Sequence, residues 1–198
     1  MIAILDYGSG NLRSAQRAFE LSGHDVEITS DRGRALSSDG LVVPGVGAFG
    51  ACMDQLRAIG GDEIIRARVE SKKPLLGICV GMQILFSSGL EKGSHAGVGV
   101  FSGEVTPIEA PVLPHIGWNT VSSAPNSILF RGIENESFYF VHSYAVKSVD
   151  SEILSSTTEY DERFIAAVEH GNVSATQFHP EKSGKAGARL IKNWAETL

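Results

Sequence analysis

Lys73-Pro74-Leu75-Leu76-Gly77-Ile78-Cys79-Val80-Gly81-Met82-Gln83 reads as a buried strand that breaks into a helix at a cysteine. Apolar residues lead up to Cys79, and a glycine stands two positions away on each side. G-x-nucleophile-x-G between strand and helix is the nucleophile-elbow arrangement, here with Cys in place of Ser. A tight turn of this kind lifts its central side chain out at the carboxyl end of a sheet and crowds the neighbouring positions, so small residues flank it. The helix that follows presents unpaired N–H groups and a partial positive charge to the sulfur, which favours thiolate. The backbone N–H of Val80 is then a candidate donor to a developing oxyanion. A buried core cysteine beside packing glycines accounts for the same residues. A second functional group has to decide between the two readings.

Outward from the elbow, the first half of the chain alternates. Residues 2–5, 26–29, 41–43 and 74–78 are short apolar runs, read as buried strands. Residues 12–21 have helical spacing. Residues 48–69 read as helix interrupted at Gly60-Gly61, and 82–86 as the start of another helix. Cys52 falls inside a helix over 49–59 and reads as core. The second half is richer in strands, expected at 98–108, 138–146, 152–158, 164–169 and 173–178, with turns of Gly, Ser, Asn and Asp between them. A helix over 185–197 closes the chain. The fold class expected is α/β: a single three-layer domain with a mixed, largely parallel central sheet flanked by helices, plus antiparallel strands in the C-terminal half.

The second functional group is supplied by Gln177-Phe178-His179-Pro180-Glu181. In an extended segment, residues i and i+2 project to one side, and Pro180 biases His179 towards extended geometry. Glu181 can then hold one nitrogen of His179 and leave the other to face a thiol, the logic of a catalytic triad. Among the other histidines, His24, His95 and His170 stand beside glycines in turns or loops. His115 and His142 lie among apolar and aromatic residues and read as structural.

Composition narrows the partners. With 198 residues the chain can bury a sizeable core. It is 42% hydrophobic and 20% charged, as soluble domains are. Its net charge of -6 and the lack of a Lys/Arg cluster argue against a nucleic-acid partner. No apolar run is long enough to span a bilayer. The N-terminus reaches Asp6 too soon for a signal peptide, so a cytoplasmic protein is expected. Two cysteines make no disulfide framework, and no spacing suits a structural metal. Gly45-Val46-Gly47-Ala48-Phe49-Gly50 matches the dinucleotide fingerprint, but on the third strand rather than the first. A strand end so rich in glycine is better used beside the elbow, as a second source of oxyanion N–H groups.

Elbow cysteine, glycine-rich strand end and late His-Pro-Glu together resemble the class I (triad) glutamine amidotransferases, over essentially the whole chain. Asp6-Tyr7-Gly8-Ser9-Gly10-Asn11-Leu12, Pro44-Gly45-Val46-Gly47-Ala48-Phe49, Pro114-His115-Ile116-Gly117-Trp118-Asn119 and Tyr139-Phe140-Val141-His142-Ser143-Tyr144 are similar, within that family, to the glutaminase subunits of imidazole glycerol phosphate synthases. The resemblance implies one type-1 glutamine amidotransferase domain over residues 1–198. It implies Cys79, His179 and Glu181 as catalytic residues, with Val80, Val46 and Gly47 around the oxyanion. Gln83 and the Gly47 backbone would hold the substrate's amino-acid end. It also implies a heterodimer with a (β/α)8 cyclase subunit that receives the ammonia, with Asn11, Trp118, Tyr139 and Lys182 as interface candidates. No metal and no organic cofactor is implied. Two rivals remain open on the residues alone. One is a stand-alone Cys–His–Glu hydrolase; the other is a nucleotide-binding module using the glycine-rich segment.

Overall fold

The computed structural model describes all 198 residues. In chain order the elements are β1 (Ile2–Leu5), α1 (Leu12–Glu20), β2 (Val26–Thr29), α2 (Arg32–Ser37), β3 (Gly40–Gly45), α3 (Phe49–Ala58), α4 (Gly61–Glu70), β4 (Leu75–Cys79) and α5 (Val80–Gln83). They continue as β5 (Phe86–Gly89), β6 (His95–Ala96), β7 (Phe101–Pro107), β8 (His115–Thr120), β9 (Ser137–His142), β10 (Tyr144–Val146), β11 (Leu154–Tyr160), β12 (Glu162–His170), β13 (Val173–Thr176) and α6 (Gly184–Ala195). Every residue of β1, β3 and β4 is buried, which requires cover on both faces of their sheet. That sheet has seven strands in the order β11-β12-β13-β4-β3-β1-β2. The five from β13 to β2 run parallel, and β12 and β11 add an antiparallel edge. A four-stranded sheet, β10-β7-β5-β6, and the hairpin β8-β9 complete the β structure. α1 meets α6 through Phe19 edge-on to Trp194, with ring centroids 5.7 Å apart.

Several expectations need correction. The helix after the elbow is a single turn, Val80–Gln83, and residue 86 already begins a strand. Ile84, Leu85 and Phe86 are all fully buried, so no amphipathic period exists there to separate helix from strand. The carbonyls of Ile84 and Leu85 instead accept N–H groups from Val98, Val100 and Phe101, so the strand expected from 98 starts only at Phe101. The run 138–146 splits at Ser143 into β9 and β10, which belong to different sheets. The run 173–178 ends at Thr176 and lies parallel beside β4. α2, β6 and β8 lie outside the expected elements, and His95 stands in β6 rather than in a loop. α2 buries only Ala35 and is held by the Asp31 cap on the Arg34 N–H. β3 runs through Pro44 to Gly45. Its pairing with β1 ends at Val42, so the proline's missing N–H breaks no ladder.

In this strand order β1 leads outward to β2, whereas β3 leads the other way to β4. The loops after β1 and β3 therefore diverge at a topological switch point, where open α/β sheets place their ligands. The loops after β4 and β13 open at the same carboxyl edge.

Candidate active site

Cys79 is the last residue of β4 and stands directly before α5. Its backbone has φ 57 and ψ -114, a conformation that L residues avoid and that strand-to-helix elbows impose. The flanking glycines are there for space. A Cβ on Gly81 would collide with the Val43 carbonyl oxygen, and one on Gly77 would come within 2.7 Å of the Gly81 carbonyl oxygen. The cysteine is 3% exposed and lines a cavity of about 280 Å³ with Val46, Gly47, Val80, Gln83, Glu91, His142, Tyr144, His179 and Lys182. Hollows of about 680 and 690 Å³ lie beside α1 and at the amino ends of β4 and β13, and neither is lined by a cysteine.

His179 reaches the cavity, and Glu181 reaches His179, by a route different from the one expected. Only His179 is extended; Pro180–Lys182 form a 3₁₀ turn. The turn still brings His179 Nδ1 to 2.7 Å from Glu181 Oε1, with both side chains almost fully buried. A carboxylate only accepts, so Nδ1 carries the proton and Nε2 is left for chemistry. Nε2 has no hydrogen-bond partner within the protein. No bond of ordinary geometry links it to Cys79, yet the sulfur is close enough to act on the charge of the ring. Burial pulls the imidazolium pKa down; Cys79 and Glu181 outweigh it and raise it to about 9. The backbone is braced from two sides. His179 N–H donates to the Tyr139 carbonyl at 3.0 Å, and Ser183 Oγ donates to the His179 carbonyl at 2.6 Å.

The two strands of oxyanion candidates behave differently. Val80 is the first residue of α5, so its N–H lies at the helix N-terminus beside the sulfur. The Val46 N–H points away from the cavity and donates to Ser9 Oγ at 3.0 Å. Ser9 Oγ in turn donates to the Val46 carbonyl at 2.8 Å, and Cys52 Sγ adds a bond to that carbonyl at 3.3 Å. Gly47 follows with φ +101 and open space where a Cβ would stand. Cys52 is core, as expected, and burial raises its pKa. The other two glycines of the dinucleotide-like segment, Gly45 and Gly50, answer to packing. A Cβ on Gly45 would lie 2.7 Å from Tyr7 Oη, and one on Gly50 would lie 2.7 Å from the His95 ring.

Gln83 is 3% exposed and spends its amide nitrogen on the Tyr144 carbonyl at 2.9 Å and Gln177 Oε1 at 3.0 Å. Its Oε1 is therefore the atom left to meet a ligand. Three residues in and behind this wall carried no assigned role in the sequence. Glu91 caps the N–H of Phe49 at 2.9 Å while lining the cavity. Tyr144 contributes its carbonyl, and Gln177 its carboxamide. Gln177 stands beside the His-Pro-Glu stretch and was quoted with it, but Glu91 sits in no recognisable pattern. His115 and His142 are structural as read, with His115 Nδ1 3.2 Å from His142 Nε2. Burial lowers both, His142 to about 3, so they are neutral.

The interface candidates fall into two places. Trp118 is 59% exposed and lies edge-on to half-buried Tyr139, with centroids 6.3 Å apart. Lys182 is exposed at the cavity rim just beyond Glu181. Asn11 is exposed on the loop after β1 and caps α1 by accepting the Ser14 N–H.

The model of the glutamine amidotransferase class-I family matches residues 3–197. The chain belongs to the class-I glutamine amidotransferases. Among curated relatives of this amidotransferase is the imidazole glycerol phosphate synthase subunit HisH of Mycolicibacterium paratuberculosis, 55% identical over 100% of this chain and 98% of the relative. The protein of the same name from Bifidobacterium longum is 51% identical, covering 98% of each chain. A crystal structure of a glutamine amidotransferase superposes with a TM-score of 0.79 at 19% identity, over 98% of this chain and 97% of that one. That likeness extends to the mixed, mostly parallel sheet with its helices. No helix is long and apolar enough to cross a membrane.

Proposed function

We propose that this amidotransferase is the glutaminase subunit of an imidazole glycerol phosphate synthase, a single domain over residues 1–198 that works in the cytoplasm. The observation that carries the proposal is that Cys79 and His179 line one cavity with Glu181 bonded to the far nitrogen of His179, in a chain more than half identical to the relatives of that name. His179 Nε2 takes the Cys79 proton, and the raised pKa of the ring, about 9, suits it to hold that proton. Cys79 Sγ attacks the side-chain carbonyl carbon of glutamine, and the carbonyl electrons move onto oxygen. The Val80 N–H receives that oxyanion at the start of α5. As the C–N bond breaks, His179 gives its proton to the leaving nitrogen, so ammonia and a glutamyl thioester form. Water then attacks the thioester with His179 Nε2 as base, and the proton it takes returns to the departing Cys79 sulfur as glutamate is released. Glu181 holds Nδ1 throughout. Gln83 Oε1 and the Glu91 carboxylate, both acceptors, suit the α-ammonium of the substrate, and the Gly47 backbone lies beside them.

The partner is a (β/α)8 cyclase subunit that takes the ammonia and makes imidazole glycerol phosphate and aminoimidazole carboxamide ribotide, a step of histidine biosynthesis. Ammonia released into water would be protonated and lost, so the two sites gain from a dry route between them. Trp118, Tyr139, Lys182 and Asn11 stand at the carboxyl edge of the sheet where such a partner would seat. In the chain alone the Val46 N–H is held by Ser9. Engagement of the partner would turn that peptide over, with Gly45 and Gly47 absorbing the rotation, and add the Val46 or Gly47 N–H to the oxyanion site.

The test is product formation by the reconstituted synthase with two nitrogen sources. Cys79→Ala should abolish formation of imidazole glycerol phosphate from glutamine and leave formation from ammonium salts intact. Glutamine-dependent product from Cys79→Ala would refute the proposal.

A further inference from the structure

The Cys79 sulfur has one side-chain hydrogen bond, and neither His179 nor Glu181 makes it. The donor is Gln177 Nε2, 3.9 Å away, at the long end for a bond to sulfur. Gln177 is fully buried. A carboxamide in such a place costs free energy unless its polar atoms are paired, whereas a methionine or leucine would fill the space freely.

Which end of that carboxamide faces the sulfur follows from its neighbours. The Tyr144 carbonyl can only accept, and it lies 2.9 Å from the amide of Gln83, so that atom of Gln83 is the nitrogen. Its second hydrogen needs an acceptor, and the Gln177 atom at 3.0 Å must be the oxygen. The Gln177 nitrogen is then turned to Cys79. The anchor itself is doubly held, because His142 Nδ1–H also donates to the Tyr144 carbonyl at 2.9 Å. A backbone carbonyl thus fixes two carboxamides in series, and the second ends on the nucleophile.

We propose that Gln177 is a positioning residue for the nucleophile: its N–H, aimed by Gln83, holds the Cys79 sulfur towards the cavity and favours its anionic form. A donor bonds an anionic sulfur more strongly than a neutral thiol, so the contact strengthens as the proton leaves. This rests on Cys79 being the nucleophile. The other titratable groups around the sulfur are His179, Tyr7 and Cys52, with Glu91, His142 and Lys182 across the cavity. Gln177→Met adds no titratable group to these, whereas Gln177→Glu also places a carboxyl group beside the sulfur.

The test measures iodoacetamide alkylation of the Cys79 peptide against pH, beside kcat and KM of the cyclase-bound enzyme. Gln177→Glu keeps an acceptor for Gln83 and replaces the donor to sulfur with a second acceptor. Half-maximal alkylation should move up by about one pH unit, a tenfold loss of reactive form at a given pH. The kcat should fall about tenfold or more, with KM within about twofold. Gln177→Met, which keeps the volume without a donor, should shift both in the same direction by less. Wild-type alkylation profiles in folded Gln177→Glu or Gln177→Met would overturn the inference. Should both variants lose the folded state, Gln83→Met leaves Gln177 in place but unaimed and carries the same alkylation test. Activity lost in Cys79→Ala together with unchanged alkylation in the Gln177 variants would sink this inference and leave the proposed function standing.

Discussion

His179 holds its proton because two groups outweigh its burial, and that has a measurable consequence. Its folded pKa of about 9 lies above the ordinary 6.5. The raised value means that the folded state binds the proton more tightly than the unfolded chain. The ring's contribution to stability is then fully present below about pH 6.5 and disappears as pH climbs through 9. Unfolding free energies of wild type and His179→Gln should differ more at pH 6 than at pH 10. A difference constant over that range would mean that the ring is not held protonated. Cys79, His179 and Glu181 were legible in the sequence because their chemistry is written in short spacings. Gln177 was not, since its role depends on Cys79 at a separation of 98 residues. Arg68 was equally hidden. Its guanidinium is fully buried and donates to the carbonyls of Ala35, Leu36, Ser38, Asp39 and Pro74, tying α4 to the α2–β3 turn and to the start of β4. No motif marks an arginine spent on carbonyls.

Among the elements, the end of β3 carries the account. Tyr7 Oη donates to the Pro44 carbonyl at 2.6 Å, and Ser9 Oγ engages both polar atoms of Val46. These contacts keep the Val46 N–H turned away from the sulfur. Two neutral hydrogen bonds contribute roughly 1–3 kcal/mol together. Ser9→Ala should therefore raise glutamine hydrolysis by the chain without its partner about tenfold, and leave the cyclase-activated rate within about twofold. An unchanged rate without the partner would show that Ser9 does not restrain the peptide. The glycine-rich strand end was visible as a second source of oxyanion N–H groups, but the hydroxyl that holds the Val46 N–H away lies 37 residues earlier. α5 makes the complementary point. Its single turn suffices for the elbow, and the apolar run that follows, 84–86, was misread because full burial erases the helical period.

At the scale of the molecule, the carboxyl ends of β1, β3, β4 and β13 supply Ser9, Val46, Cys79 and His179 to one edge. The parallel first half was legible from its apolar runs. The insertion of β13 between β4 and β12 was not, because Val173 pairs with Leu75 across half the length of the chain, and such register is set by packing and not by local pattern. Exposed Trp118, the Lys182 rim and the turned Val46 peptide share that edge, and together they give the central claim: Cys79 is necessary for activity and is not sufficient without a partner. The most direct test is glutamate release from glutamine by wild type and Cys79→Ala, each alone and with the cyclase and its ribonucleotide substrate. The account predicts slow release by wild type alone, fast release with cyclase and ribonucleotide, and none from Cys79→Ala in either case. Full release by wild type alone, or release surviving Cys79→Ala, would contradict it.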